Sequence, residues 1–160
     1  MFDHEYSIDQ QNLPLYLKGK EIYKVSDQIF QLIPEDNKPL IQMKNVMLND
    51  ALLLTEKVDE ANSGHYYDLQ MESATIIRKA ACELMHLSNA LDMFGFEHVE
   101  YFEIVRNLLE EYRLLFINWV AKFDQQDYII DRWGLFNPPG VGPFDHDPDD
   151  DIPFNGFDDM

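Results

Sequence analysis

Glu83 and His86 lie three residues apart in a helical stretch, which places a carboxylate and an imidazole on one helix face. Di-iron four-helix bundles use this Glu-x-x-His spacing, but with a second such pair and two further carboxylates. The chain has no second Glu-x-x-His, and Glu56 with Glu110 or Glu111 completes only part of the set. We therefore predict no metal, no cofactor and no catalytic residue. A metal-binding bundle or enzyme centred on Glu83 and His86 is kept as an alternative.

The remaining reactive side chains are too scattered to form another type of site. Cys82 is the single cysteine, so an internal disulfide and a multi-thiolate zinc site are excluded. Among alanines and leucines in a helix, it is predicted to be a small buried residue. His65 begins the predicted third helix, whereas His86 and His98 flank its far end, about 30 Å away at 1.5 Å per residue. The sequence therefore indicates no histidine cluster.

The last 27 residues contain seven Asp and no Lys or Arg, and they are rich in Pro and Phe. Residues 137–143, with three prolines and two glycines, predict an extended, flexible linker. An acidic run followed by an aromatic anchor is typical of short segments that bind proteins. The alternatives are a tail that only increases solubility, or one that folds back onto the bundle through Trp133, Phe136 and Phe144.

The segment 149–154, Asp-Asp-Asp-Ile-Pro-Phe, resembles the acidic tip of bacterial single-stranded DNA-binding proteins. In that family the Ile-Pro-Phe end docks in an apolar pocket while the Asp run meets a basic rim. There the Phe is the last residue, whereas six residues follow it here. The resemblance implies a protein partner for the tail. The predicted partner-binding residues are Asp149, Asp150, Asp151, Ile152, Pro153, Phe154 and Phe157.

The overall composition limits the class of protein. The length of 160 residues allows one domain with appendages, and the hydrophobic fraction of 46% is enough for that domain to bury a core. Its formal net charge is −18, from 30 acidic and 12 basic side chains, and such a surface repels phosphate backbones. Nucleic-acid binding is therefore disfavoured. No segment predicts a signal peptide or a membrane span, so we expect a cytoplasmic protein.

Apolar residues at helical spacing predict four amphipathic helices separated by short linkers. Such linkers make neighbouring helices antiparallel. The predicted fold is all-α, an antiparallel up-down-up-down four-helix bundle with an N-terminal arm and an acidic Pro/Asp/Phe-rich C-terminal tail. The arm covers residues 1–17, the bundle 18–133 and the tail 134–160. The helices are predicted at residues 18–32, 39–61, 65 or 67 to 93, and 97–123.

The predicted fourth helix is apolar over more than one face. A single bundle core needs a stripe only a little wider than about 100°. The surplus is either covered within the chain, by the arm and by residues 129–136, or it forms a subunit interface. Both options are open from the sequence. The candidate oligomer interface consists of Phe102, Phe116, Trp119 and Phe123.

The region 19–123 resembles the four-helix-bundle proteins encoded in intervening sequences of bacterial 23S rRNA genes. The matching residues are Ile22-Tyr23, Leu32-Ile33-Pro34, Leu40, Gln42, Glu56, Glu83-Leu84 and Gly95-Phe96. The small, Arg-bearing segment that follows the Gln in that family is bulkier and less basic here, at residues 43–47. The resemblance implies a homo-oligomeric bundle whose relatives are nucleic-acid-binding accessory proteins.

Taken together, these features predict a non-enzymatic helical-bundle interaction or scaffold protein. It is expected to be homo-oligomeric and to offer its acidic, aromatic tail to a protein partner. A nucleic-acid accessory protein like the bundle's suspected relatives is a further alternative, although the acidic surface disfavours it.

Overall fold

The computed structural model describes residues 13–147, and these residues form four α-helices and no β-strand. The predicted all-α, four-helix fold is confirmed. Two short 3-10 turns, Asp92–Phe94 and Val99–Tyr101, connect the third helix to the fourth. None of the helices in the described part combines the length and the apolar character that crossing a bilayer requires. The helices are α1 (Leu13–Phe30), α2 (Lys38–Ser63), α3 (Tyr67–Ala90) and α4 (Phe102–Ala121).

Helix α1 begins five residues earlier than predicted. Residues 13–17 were assigned to the N-terminal arm, but they form the first turn of α1. Pro14 takes the second helical position, where the N–H that proline lacks would have no intrahelical partner. Leu15 is buried in the core and holds this turn against the bundle. Residues 1–12 of the predicted arm lie outside the described residues.

The α1–α2 and α3–α4 connections meet at one end of the molecule. Asn37 caps α2, because its side-chain oxygen accepts a hydrogen bond from the Leu40 N–H at 3.2 Å. Its amide nitrogen donates to the Phe94 carbonyl in the other connection, also at 3.2 Å. Gly95 follows with a φ of +87°, a left-handed conformation that suits glycine. The 3-10 turn Asp92–Phe94 precedes Gly95, so α3 ends at Ala90 and not at the predicted Met93.

Helices α1 and α4 both approach the backbone of Leu54 in α2. The Tyr112 hydroxyl, buried in α4, donates a hydrogen bond to the Leu54 carbonyl at 2.8 Å. From the α1 side, Gly19 comes so close that a Cβ there would lie 2.9 Å from the same oxygen. The close approach of α1 to α2 therefore depends on the missing side chain at Gly19.

Most of the surplus aromatic surface on α4 is covered within the chain. Phe102 is fully buried, with its ring centroid 5.2 Å from that of Phe30 in α1. Trp119 and Phe123 are also buried, and their rings meet edge to face at 4.8 Å. The prediction of an oligomer interface is wrong for Phe102, Trp119 and Phe123, because all three are buried in the core of their own chain. The fourth candidate, Phe116, is only half-buried.

Candidate functional site

Residues 131–147, which we call the aromatic loop, follow α4 and are held by a turn around Asp131. The Asp131 carboxylate accepts hydrogen bonds from the backbone N–H groups of Trp133 at 2.9 Å, Leu135 at 2.8 Å and Phe136 at 2.9 Å. The Asn137 side chain bonds the Asp131 backbone twice, accepting from its N–H at 2.7 Å and donating to its carbonyl at 2.9 Å. The side chains of Asp131 and Asn137 together therefore fix the backbone of this turn.

The second half of the aromatic loop is closed by Arg132 and Asp145. The Arg132 guanidinium donates to the carbonyls of Pro143 at 3.0 Å and Asp145 at 2.8 Å. The Asp145 carboxylate in turn accepts from the Gly142 N–H at 2.8 Å. Gly134 has a φ of +75°, and a Cβ there would lie 3.4 Å from the Pro143 ring. The two halves of the loop are thus packed together.

The segment that leads into the aromatic loop is fixed to the N-terminus of α3. The Tyr67 N–H donates to the Asp127 carbonyl at 2.7 Å, and the Ile129 N–H donates to the Asp68 carboxylate at 3.0 Å. Ile130, the next residue along the chain, is buried. The segment that carries the aromatic loop is therefore held against the start of α3.

The aromatic loop presents large apolar side chains to solvent. Trp133 is 92% exposed, Phe144 is 94% exposed and Leu135 is 75% exposed. Isolated exposed apolar residues are common on protein surfaces and need no explanation. Here three of them project from one short segment whose backbone is fixed by its own polar side chains. Such an arrangement has the character of a preformed binding surface.

The sequence-based prediction of a flexible linker at 137–143 is wrong. The prolines and glycines there shape turns that Asp131, Asn137 and Asp145 hold through side-chain-to-backbone hydrogen bonds, and Pro138 is buried. Outside the described residues lie the predicted partner-binding residues Asp149, Asp150, Asp151, Ile152, Pro153, Phe154 and Phe157.

Replacing Asp131 by Ala is expected to loosen the aromatic loop. The backbone N–H of Phe136, with those of Trp133 and Leu135, lowers the pKa of the Asp131 carboxyl below its usual value. The group is therefore charged at neutral pH, its hydrogen bonds are charge-assisted, and they weaken only when the pH falls through that lowered pKa. In Asp131→Ala, the amide hydrogens of the three donors should exchange at least tenfold faster by NMR.

The control for this prediction is Asp124→Ala, which removes a carboxylate that accepts from the Gln126 N–H at 2.9 Å, outside the aromatic loop. The loop amides should keep their exchange rates in that variant. Unchanged exchange in Asp131→Ala would mean that the packing of Gly134 against Pro143 and the Arg132 contacts hold the loop without the carboxylate.

A second feature is an apolar groove of about 400 Å³ between α3 and α4, which we call the α3–α4 groove. These two helices contact each other less closely than the other packed helix pairs do. Cys82 is exposed in the groove, so the prediction that it is buried is wrong, because the divergence of α4 uncovers it. The groove is lined by Ile77, Arg78, Ala81, Cys82, Met85, His86, Leu109, Glu110, Tyr112, Arg113, Phe116 and Ile117.

The structure does not assemble a metal site around Glu83 and His86. His86 is an exposed residue of the α3–α4 groove, whereas Glu83 is half-buried and contributes to the field at Asp50 of α2. Within residues 13–147 there is no group of three or more His, Cys, Asp or Glu side chains that could hold a metal ion. The metal-binding alternative therefore has no ligand set in this part of the chain.

Comparisons with family models, with curated proteins and with solved structures found no match to this chain. The resemblances to the rRNA intervening-sequence bundles and to the acidic tip of single-stranded DNA-binding proteins therefore stay predictions from the sequence.

Proposed function

We propose that this chain is a non-enzymatic interaction protein that binds protein partners through its acidic C-terminal region and works as a homo-oligomer. The observation that carries the proposal is the aromatic loop. A network of charged and amide side chains holds its backbone, while Trp133, Leu135 and Phe144 are left exposed. The bundle serves as the support that fixes the loop in place.

The loop has the two properties that favour tight association. Aromatic side chains that become buried at the centre of an interface supply much of its binding energy, and truncating one such anchor costs about 2 kcal/mol or more. Because the loop is already ordered, little conformational entropy is lost when it binds. The tail also carries seven Asp and no Lys or Arg, which steers it toward a partner with a basic rim.

The proposal includes the up-down-up-down order of the helices. It is supported by the Asn37–Phe94 hydrogen bond, which joins the α1–α2 and α3–α4 connections at one end. At the other end, the Trp119 indole N–H donates to Asn62 near the end of α2 at 3.3 Å, and Tyr67 of α3 bonds Asp127. This order places the aromatic loop at the opposite end from Asn37.

The test compares partner capture by full-length protein and by a loop variant, Trp133→Ser/Phe144→Ser. Both side chains are exposed, so the variant should melt like the wild type while losing the proteins that the wild type retains from a lysate of its own cells. Met93→Ser is the matched control, because Met93 is also apolar, is 81% exposed and lies at the other end of the bundle. The loop variant retaining the same proteins as the wild type would refute the proposed function.

A further inference from the structure

We infer that the α3–α4 groove is the docking site for the aromatic loop of a second copy of this chain. The inference rests on the proposed function and identifies one partner, another copy of the protein itself. It adds the surface that receives the loop, the α3–α4 groove, which no sequence feature indicated.

The shapes and polarities of the two surfaces fit each other. The groove is walled mainly by apolar side chains, and its volume of about 400 Å³ lies in the range of pockets that enclose small ligands. The lining includes the small residues Ala81 and Cys82, which occupy less of the groove than larger side chains would. Trp133 and Phe144 each offer a ring with a large apolar area to bury.

The groove is not filled by the aromatic loop of its own chain. Trp133 and Phe144 are almost fully exposed in the chain that carries them. The loop is fixed beside Asp68 at the start of α3, whereas the groove begins at Ile77, about 14 Å farther along the helix at 1.5 Å per residue. A second copy supplies the same loop without this restriction.

Charge complementarity favours this occupant. Arg78 lies in the groove and forms no ion pair with any described residue, and Arg113 lies nearby beside Glu110, with its Nε 3.0 Å from that carboxylate. The aromatic loop carries Asp145 and Asp147, and the 13 residues after it add five Asp and no Lys or Arg. Two copies of a chain with net charge −18 repel each other, and a contact between the acidic segment and such a cation offsets part of that repulsion.

Each copy carries both surfaces, so two copies can exchange loops and form two identical contacts. Such an exchange closes a two-fold dimer and leaves no unsatisfied groove. A single substitution in either surface removes both contacts of a homodimer. A mixture of a loop variant with a groove variant still forms one, because each supplies the surface that the other lacks.

The experiment measures the mass of full-length protein by light scattering over a range of concentrations. The groove variant is Ile117→Glu, since Ile117 is half exposed in the groove and the added charge repels the acidic loop. The matched control is Ile104→Glu, an equally exposed position of α4 outside the groove. We expect dimers for the wild type and the control, and at least tenfold weaker dimerisation for the groove variant and for Trp133→Ser/Phe144→Ser.

Mixing the loop and groove variants should restore part of the dimerisation. A monomeric wild type, a groove variant that dimerises like the wild type, or a mixture that stays monomeric would each overturn the inference. If the loop variant loses its captured proteins while every variant keeps the oligomeric mass of the wild type, the proposed function stands and this inference fails. If the loop variant also keeps its captured proteins, both fail.

Discussion

Gly19→Val is expected to lower the free energy of unfolding by about 2–3 kcal/mol, the upper part of the range for overpacked cores. The first atom of the new side chain would lie 2.9 Å from both the Leu54 carbonyl oxygen and the Thr55 Cγ2 atom. The carbonyl belongs to the helical backbone at the buried residue Leu54, so it cannot rotate away. Helix α1 would have to move outward from α2 and would loosen the core around Ile22, which is fully buried.

The measurement is chemical denaturation followed by far-UV circular dichroism. Gly64→Val is the matched control, because a Cβ at Gly64 has no atom within 4 Å and its φ of −111° suits any residue. The control should unfold close to the wild type. Equal midpoints for the two variants would show that α1 and α2 are not in close contact at Gly19.

The helices could be predicted because their signals are local. The apolar spacing along α2 and α4 and the Asn37-Lys38-Pro39 start of α2 each act within a few turns of the chain. Gly95 likewise marks a left-handed turn, although α3 itself stops earlier. The start of α1 was missed because Pro14 and Leu15 looked like the end of an arm, and only packing against the bundle shows that Leu15 belongs to the core.

The candidate site could be predicted only in part. Aromatic residues in an acidic C-terminal region were visible in the sequence, whereas the exposure of Trp133 and Phe144 was not. Asp131 with Asn137 was an overlooked signal of side-chain-held turns. The hydrogen bond from the Arg132 side chain to the Pro143 carbonyl joins residues eleven positions apart, and no residue pattern encodes it. The α3–α4 groove depends on the divergence of two helices, which apolar periodicity does not determine.

Asp50 is a buried carboxyl whose replacement should stabilise the protein. It is 6% exposed, and its Oδ2 has no hydrogen-bond partner among the described residues. Burial, and then the negative charge of Glu83, raise its pKa to about 6, with Lys79 acting in the opposite direction. Asp50→Asn removes the charge and should raise the free energy of unfolding at pH 7 by about 1–2 kcal/mol, since the new amide still needs a hydrogen-bond partner.

The pH dependence gives this prediction its sign. The folded protein holds a proton on Asp50 up to about pH 6, whereas the unfolded chain releases it near pH 3.8. Wild-type stability due to this group is therefore lost as the pH rises between those values. Thermal melts of Asp50→Asn and wild type should agree near pH 3.5 and separate until about pH 7. The control is Glu56→Gln, which removes an exposed charge from the same helix and should show no such separation from the wild type. If the melting temperatures of Asp50→Asn and wild type differ by the same amount at every pH, Asp50 is not held protonated.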